Sequence, residues 1–111
     1  MERITREEVL ENLGRFITTS NMNTARGGKA SNQFELYYEN GVAFQSYESI
    51  IAIKFGNYEN IPEKLKGKIV LGSDYDYSKT TNKYRCAFLG EYMKETRQKL
   101  ENGTYLFCEE F

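Results

Sequence analysis

Asn40-Gly41 stands between two runs in which apolar and polar residues alternate, and this arrangement constrains the fold more than any other feature of the chain. Phe34-Glu-Leu-Tyr-Tyr38 precedes it and Val42-Ala-Phe-Gln-Ser46 follows. Successive strand side chains point to opposite faces, and both Asn and Gly tolerate the positive φ of a tight turn, so the pattern predicts a β-hairpin. Ser46 to Ser49 reads as a second turn. Ile50-Ile-Ala-Ile-Lys-Phe55 then gives a third strand, β-branched and largely buried. The three strands form a meander.

The flanks carry helical signals. Thr5 and Glu8 have the spacing of a capping box. Val9, Leu10 and Leu13 follow at helical spacing, Phe16 and Ile17 extend the apolar stripe, and Gly14 ends or loosens the helix. Beyond a polar connection from Gly56 to Lys68, which holds the single proline Pro62, Ile69-Val-Leu71 reads as a short strand stopped by Gly72. The hydroxyls of Ser78-Lys-Thr-Thr81 supply an N-cap for a helix over Asn82–Leu89, with Gly90 as its C-cap. A third helix runs from about Met93 to Asn102, and Thr104-Tyr-Leu-Phe-Cys108 is a last strand. The expected fold is one α+β domain over residues 1–111. It is a mostly antiparallel sheet, the three-strand meander plus one or two further strands, covered on one side by about three short helices. Its expected core is Tyr37, Phe44, Ile51, Ile53, Val70, Tyr84, Phe88, Leu100 and Leu106.

Between the first helix and first strand lies Thr18-Thr-Ser-Asn-Met-Asn-Thr-Ala-Arg-Gly-Gly-Lys29. Only Met22 and Ala25 are apolar, and neither joins a periodic pattern, so the segment reads as a long polar loop. Its Gly27-Gly28 pair, flanked by Arg26 and Lys29, has the makings of an anion nest as well as of a plain turn. The P-loop frame is absent. A second polar block interleaves Lys79, Lys83 and Arg85 with Tyr75, Tyr77 and Tyr84, a mixture that suits protein contacts and stacked single-stranded bases alike.

Little in the chain offers chemistry. It has no His, so a Ser, Thr or Cys nucleophile lacks its usual base. Asp74 and Asp76 share a face if Tyr75 is extended, but no third metal ligand accompanies them. The expectation is a non-enzyme without metal or cofactor. Cys86 and Cys108 are the only cysteines, expected as buried, inert thiols without a disulfide. The N-terminus is charged, and no apolar run approaches the ~20 residues of a membrane span, which implies a cytosolic protein with no membrane partner. Net charge is −1, which argues against generic nucleic-acid attraction. Charge is unevenly spread along the chain: five acids from Glu35 to Glu63 face only Lys54, whereas nine cations from Lys64 to Lys99 face four acids. Kept apart by the fold, these segments would form an acidic and a basic face.

Three blocks carry a family resemblance: Thr18 to Gly28, Phe44-Gln-Ser-Tyr-Glu-Ser-Ile-Ile-Ala52, and Tyr77-Ser-Lys-Thr-Thr-Asn-Lys-Tyr-Arg85 with Phe88-Leu-Gly-Glu91 and Glu95-Thr-Arg97. Together they resemble a family of small uncharacterised proteins carried by phages, plasmids and integrative elements of low-GC Gram-positive bacteria. The resemblance implies a mobile-element accessory protein in the bacterial cytoplasm. Such proteins often block host machinery, including CRISPR nucleases. It transfers no residue roles. The resulting expectation is a binding inhibitor of a host protein or ribonucleoprotein that handles nucleic acid. The alternative is a single-stranded nucleic-acid-binding accessory, using the Arg26/Lys29 and Lys79–Arg85 clusters. The residues expected to bind are Asn21, Asn23, Thr24, Arg26, Lys29, Tyr77, Lys79, Lys83 and Arg85.

Overall fold

A computed structural model describes all residues from 1 to 111. Seven strands, β1 (Glu2–Arg3), β2 (Phe16–Asn23), β3 (Lys29–Tyr38), β4 (Gly41–Ser46), β5 (Ser49–Phe55), β6 (Ile69–Gly72) and β7 (Leu106–Cys108), form one sheet. Its spatial order is β1-β7-β6-β5-β4-β3-β2. Helix α1 (Arg6–Leu13) lies between β1 and β2; α2 (Lys79–Leu89) and α3 (Met93–Glu101) lie between β6 and β7. From β2 to β6 every pairing is antiparallel, and the expected meander is its centre. Strand β7 pairs parallel to β6, which requires a crossover, and α2 and α3 supply it. The fold is therefore the expected α+β domain with a mostly antiparallel sheet.

Helices cover both faces, not one. Alternation along the strands sends Ala43, Ile53 and Val70 to one side and Phe44, Ala52 and Leu71 to the other. On the first side they pack with Val9 and Leu13 of α1, and with Ile61 and Leu65. Those last two belong to the Gly56–Lys68 connection, and both are buried. On the second side the partners are Tyr84 and Phe88 of α2, Leu100 of α3 and Tyr105. Seven of the nine expected core residues are buried; Tyr37 and Leu106 are half-buried. Two clusters thus replace the single core expected.

The caps follow the sequence signals. Thr5 accepts from the Glu8 amide at 3.1 Å, and Ser78 accepts from the Thr81 amide at 3.1 Å. Gly90 ends α2 in the left-handed region at φ 71°. The turn at Asn40 works differently from the expectation. Tyr38 pairs with Gly41, so Glu39 and Asn40 are the loop residues, and neither has positive φ. Asn40 is buried and donates from Nδ2 to the Asn12 carbonyl at 2.8 Å, closing the end of α1. Gly41 is needed for space: a Cβ there would meet the Lys54 carbonyl at 2.7 Å.

Glu91 ties the α2–α3 junction to the strand that follows. Its carboxylate accepts from Tyr105 Oη (2.6 Å), Thr96 Oγ1 (2.6 Å) and Lys99 Nζ (2.8 Å). Burial opposes its ionisation, but these three donors outweigh burial and hold its pKa below the usual carboxylate range.

Two stability predictions follow from this packing. Phe88→Ala should cost about 3–5 kcal/mol and Leu65→Ala about 2–5 kcal/mol in urea unfolding. A Leu65→Ala loss under about 1 kcal/mol would show that the connection is not part of the core. Because the folded pKa of Glu91 is depressed, its contribution is present above its unfolded value of 4.5 and fades as pH falls through the folded value. Glu91→Gln should therefore be less stable than wild type at about pH 7, with the gap narrowing toward about pH 3. A gap that stays constant would rule out a role for the charge.

Candidate functional site

The segment Thr18–Lys29 is not a loop. Its first half is strand β2, and Asn23 pairs with Lys29 to make a long β2–β3 hairpin. Hydroxyls and amides prevail here because β2 is an edge strand beyond the reach of the helices, with Phe16 to Ser20 exposed on both faces. The turn is closed by Thr24 N–H to the Gly28 carbonyl (2.7 Å) and Gly27 N–H to the Thr24 carbonyl (2.9 Å). Two of the glycine-region amides are thus satisfied within the turn.

The expected binding residues separate on this frame. Asn21 is half-buried and structural: its Nδ2 donates to the carbonyls of Met22, Ala30 and Gln33. Asn23, Arg26 and Lys29 are exposed around the hairpin tip, and Thr24 is half-buried in its turn. Lys79 and Lys83 are exposed on α2, with Lys83 lying 5.5 Å from the Tyr84 ring. Arg26, Lys29, Lys79 and Lys83 form no ion pair within the chain. Ala30 and Tyr84 share one apolar cluster, so the hairpin tip and the helix belong to the same side of the sheet.

Arg85 is the clear correction. It is fully buried and cannot meet a partner. Its Nη1 donates to the Tyr75 carbonyl and to Asn82 Oδ1 (2.6 Å), while Nη2 meets the sulfurs of Cys86 and Met93. The guanidinium fork anchors the Tyr75–Tyr77 segment to α2 and α3. Asp76 is also committed, to Asn82 (3.0 Å) and Arg97 (2.8 Å). Between these anchors Tyr77 projects outward, 70% exposed.

Tyr77 forms one lip of a groove of about 700 Å³. The far lip is Tyr47, 48% exposed, at the β4–β5 turn. Asn32, Ser46, Glu48, Ser49, Ile51, Ser78 and Thr80 line the remainder. Ser46 pairs with Ser49, so Tyr47 and Glu48 are a two-residue hairpin loop. Tyr47 takes φ 57°, a position that glycine favours. Asn32 takes φ 62° and accepts the Tyr47 amide proton at 2.7 Å. Gln33, next to Asn32 and opposite Ser46, is fully buried, and its Oε1 has no partner. These three unfavourable features lie together, and such concentration is characteristic of functional sites.

The groove's lining mixes hydroxyls, phenols and the Asn32 amide with the Ile51 side chain, and Glu48 is its one carboxylate. A mixed polar and apolar lining with two exposed phenols suits a polypeptide segment. Sequence reading identified only Tyr77 among the lining residues. Tyr47 was hidden because nothing in Ser46-Tyr-Glu-Ser49 announces positive φ. A smaller cleft of about 320 Å³ lies between the chain ends, near Arg3, Glu7 and Cys108. Burial pushes the Cys108 thiol up, so it is a poor nucleophile. Cys86 sits on α2 and Cys108 in the cluster beneath α1, on opposite faces of the sheet.

The fold does not keep the acidic and basic segments apart as two faces. Glu48 lines the groove near α2, whereas Glu59 and Glu63 lie in the connection that packs on the α1 side. On α3, Arg97 and Lys99 are neutralised by Asp76 and Glu91. No helix is long and apolar enough to cross a membrane.

No curated protein and no solved structure matches the chain. A family model does match, over residues 17–103, from β2 to the turn after α3. That span includes the hairpin, both lips of the groove and the Arg85 anchor; the chain belongs to a family of unknown function, DUF8033.

Proposed function

We propose that this protein acts by binding, without turnover, and that its partner is a protein or ribonucleoprotein that seats a surface segment between Tyr47 and Tyr77. The observation that carries this reading is the cost built into the groove. A bulky residue in the left-handed region is unfavourable by about 1–2 kcal/mol relative to its ordinary conformation. Tyr47 bears that strain with its ring half exposed, so little packing is gained in return. A tyrosine at such a position is best explained by a contact outside the chain. The mobile-element context implied by the sequence resemblance directs the finer reading. In that reading the partner is a bacterial host machine that handles nucleic acid, a CRISPR effector among them, and inhibition is stoichiometric.

A second reading rests on a separate observation. Tyr77 is exposed just before α2, which carries the unpaired Lys79 and Lys83, and the hairpin tip adds the unpaired Arg26 and Lys29. An exposed ring among free cations suits stacking on single-stranded nucleic acid. Steep salt dependence of retention on single-stranded DNA would favour this alternative.

Tyr47→Gly separates folding from binding. Its stability should stay level or rise by up to about 1 kcal/mol, because glycine accepts positive φ and the lost ring is half exposed. Its binding to the captured partner, measured by titration calorimetry, should fall by about tenfold or more, as should that of Tyr77→Ala. A stability loss above about 1 kcal/mol would mean that the ring serves the fold. If both variants bind fully and Arg26→Ala/Lys29→Ala does not, the hairpin tip is the contact and the groove assignment fails.

A further inference from the structure

We propose that β2 pairs with the β2 strand of a second copy of this chain, antiparallel about a twofold axis, so that one continuous sheet runs through a dimer. The two edges of the sheet are built in opposite ways. At one end β1 has two residues, Glu2 and Arg3, and both are charged. A short, charged edge resists pairing with another strand. At the other end β2 has eight residues, Phe-Ile-Thr-Thr-Ser-Asn-Met-Asn, without a charge or a proline. An edge strand directs alternate N–H and C=O groups away from its sheet, and here no helix or loop buries Phe16 to Ser20. The register shifts against β3 fall at Ile17 and Met22, so Thr18 to Asn21 run regularly and offer a flat pairing segment.

The composition commits this edge to its own copy. In an antiparallel pair with twofold symmetry, residues of equal parity oppose each other, because facing side chains must share a face. Centred on Thr19, within the regular stretch between the two register shifts, this places Thr19 against Thr19 and Thr18 against Ser20. Hydroxyls donate as well as accept, so these pairs satisfy each other whichever copy donates. Arg15, the cation next to this strand, is already paired with Glu39 at 3.4 Å. No like charges meet anywhere along the strand. The pairing is independent of the groove, whose lips stand on the β4–β5 turn and before α2.

The test is a charge exchange at Thr19, which is exposed and belongs to neither apolar cluster. Wild type, Thr19→Lys and Thr19→Glu are each measured by analytical ultracentrifugation up to about millimolar concentration, with circular dichroism melts to confirm folding. Wild type should dimerise. Each variant alone should self-associate about tenfold or more weakly, because two like charges are placed directly opposite. An equimolar mixture of the two variants should restore the dimer as a Lys–Glu pair, with the effect reduced at high salt. The proposal is overturned if wild type stays monomeric throughout the range. It is equally overturned if both variants dimerise as wild type does, which would put the interface elsewhere. A monomer whose partner binding is lost in both variants would assign the edge to a foreign strand instead. Should Thr19→Lys fail to melt cooperatively, Thr18→Lys/Ser20→Lys with Thr18→Glu/Ser20→Glu repeats the exchange at the two flanking pairs.

Discussion

Everything in this molecule depends on a strand that is buried on both faces. In β5, Ile51, Ala52, Ile53 and Phe55 are all buried, although consecutive strand residues point in opposite directions. A strand of this kind needs cover above and below, and one helical layer cannot provide it. Helix α1 covers part of one face, and the Gly56–Lys68 connection completes it with Ile61 and Leu65. The α2–α3 pair covers the other and carries the chain back to lay β7 parallel to β6. Asn40 locks the first layer in place, because its side chain closes α1 while its backbone turns the central hairpin.

Conformational cost is distributed unevenly around this frame. At Asn40-Gly41, where sequence signals a strained turn, there is no positive φ at all, and the residues serve capping and close approach. At Tyr47, where sequence signals a turn but no positive φ, the backbone is in the left-handed region. Natural chains tend to remove such conflicts between local preference and fold, so those that persist mark positions held for another reason. The family match extends across these positions, and the Phe44–Ala52 block, one of the three that carried the sequence resemblance, contains Tyr47.

The cations show how burial reassigns roles. Lys79, Lys83 and Arg85 form a single basic block in sequence, yet helical geometry turns Arg85 inward and leaves the lysines in solvent. Once inside, the guanidinium satisfies backbone and side-chain acceptors and fixes the loop that carries Tyr77. It shapes the site by positioning, not by contact.

The sequence alone determined the meander, the helix caps, the order of elements from β3 onward and seven buried positions of the core. These rest on short-range rules: alternation, helical spacing, and hydroxyl or glycine at helix ends. Strand β2 was illegible because an exposed edge strand buries neither face and so shows no alternation. Strand β1 was illegible because two residues make no pattern. The cluster beneath α1 was legible only in part because Ile61 and Leu65 sit in a connection without periodicity. Tertiary structure alone decided that helices lie on both faces, that Arg85 is buried, and that Tyr47 and Tyr77 line one groove. Each of these depends on contacts between segments distant in sequence, and no local pattern encodes which distant segment will be the neighbour.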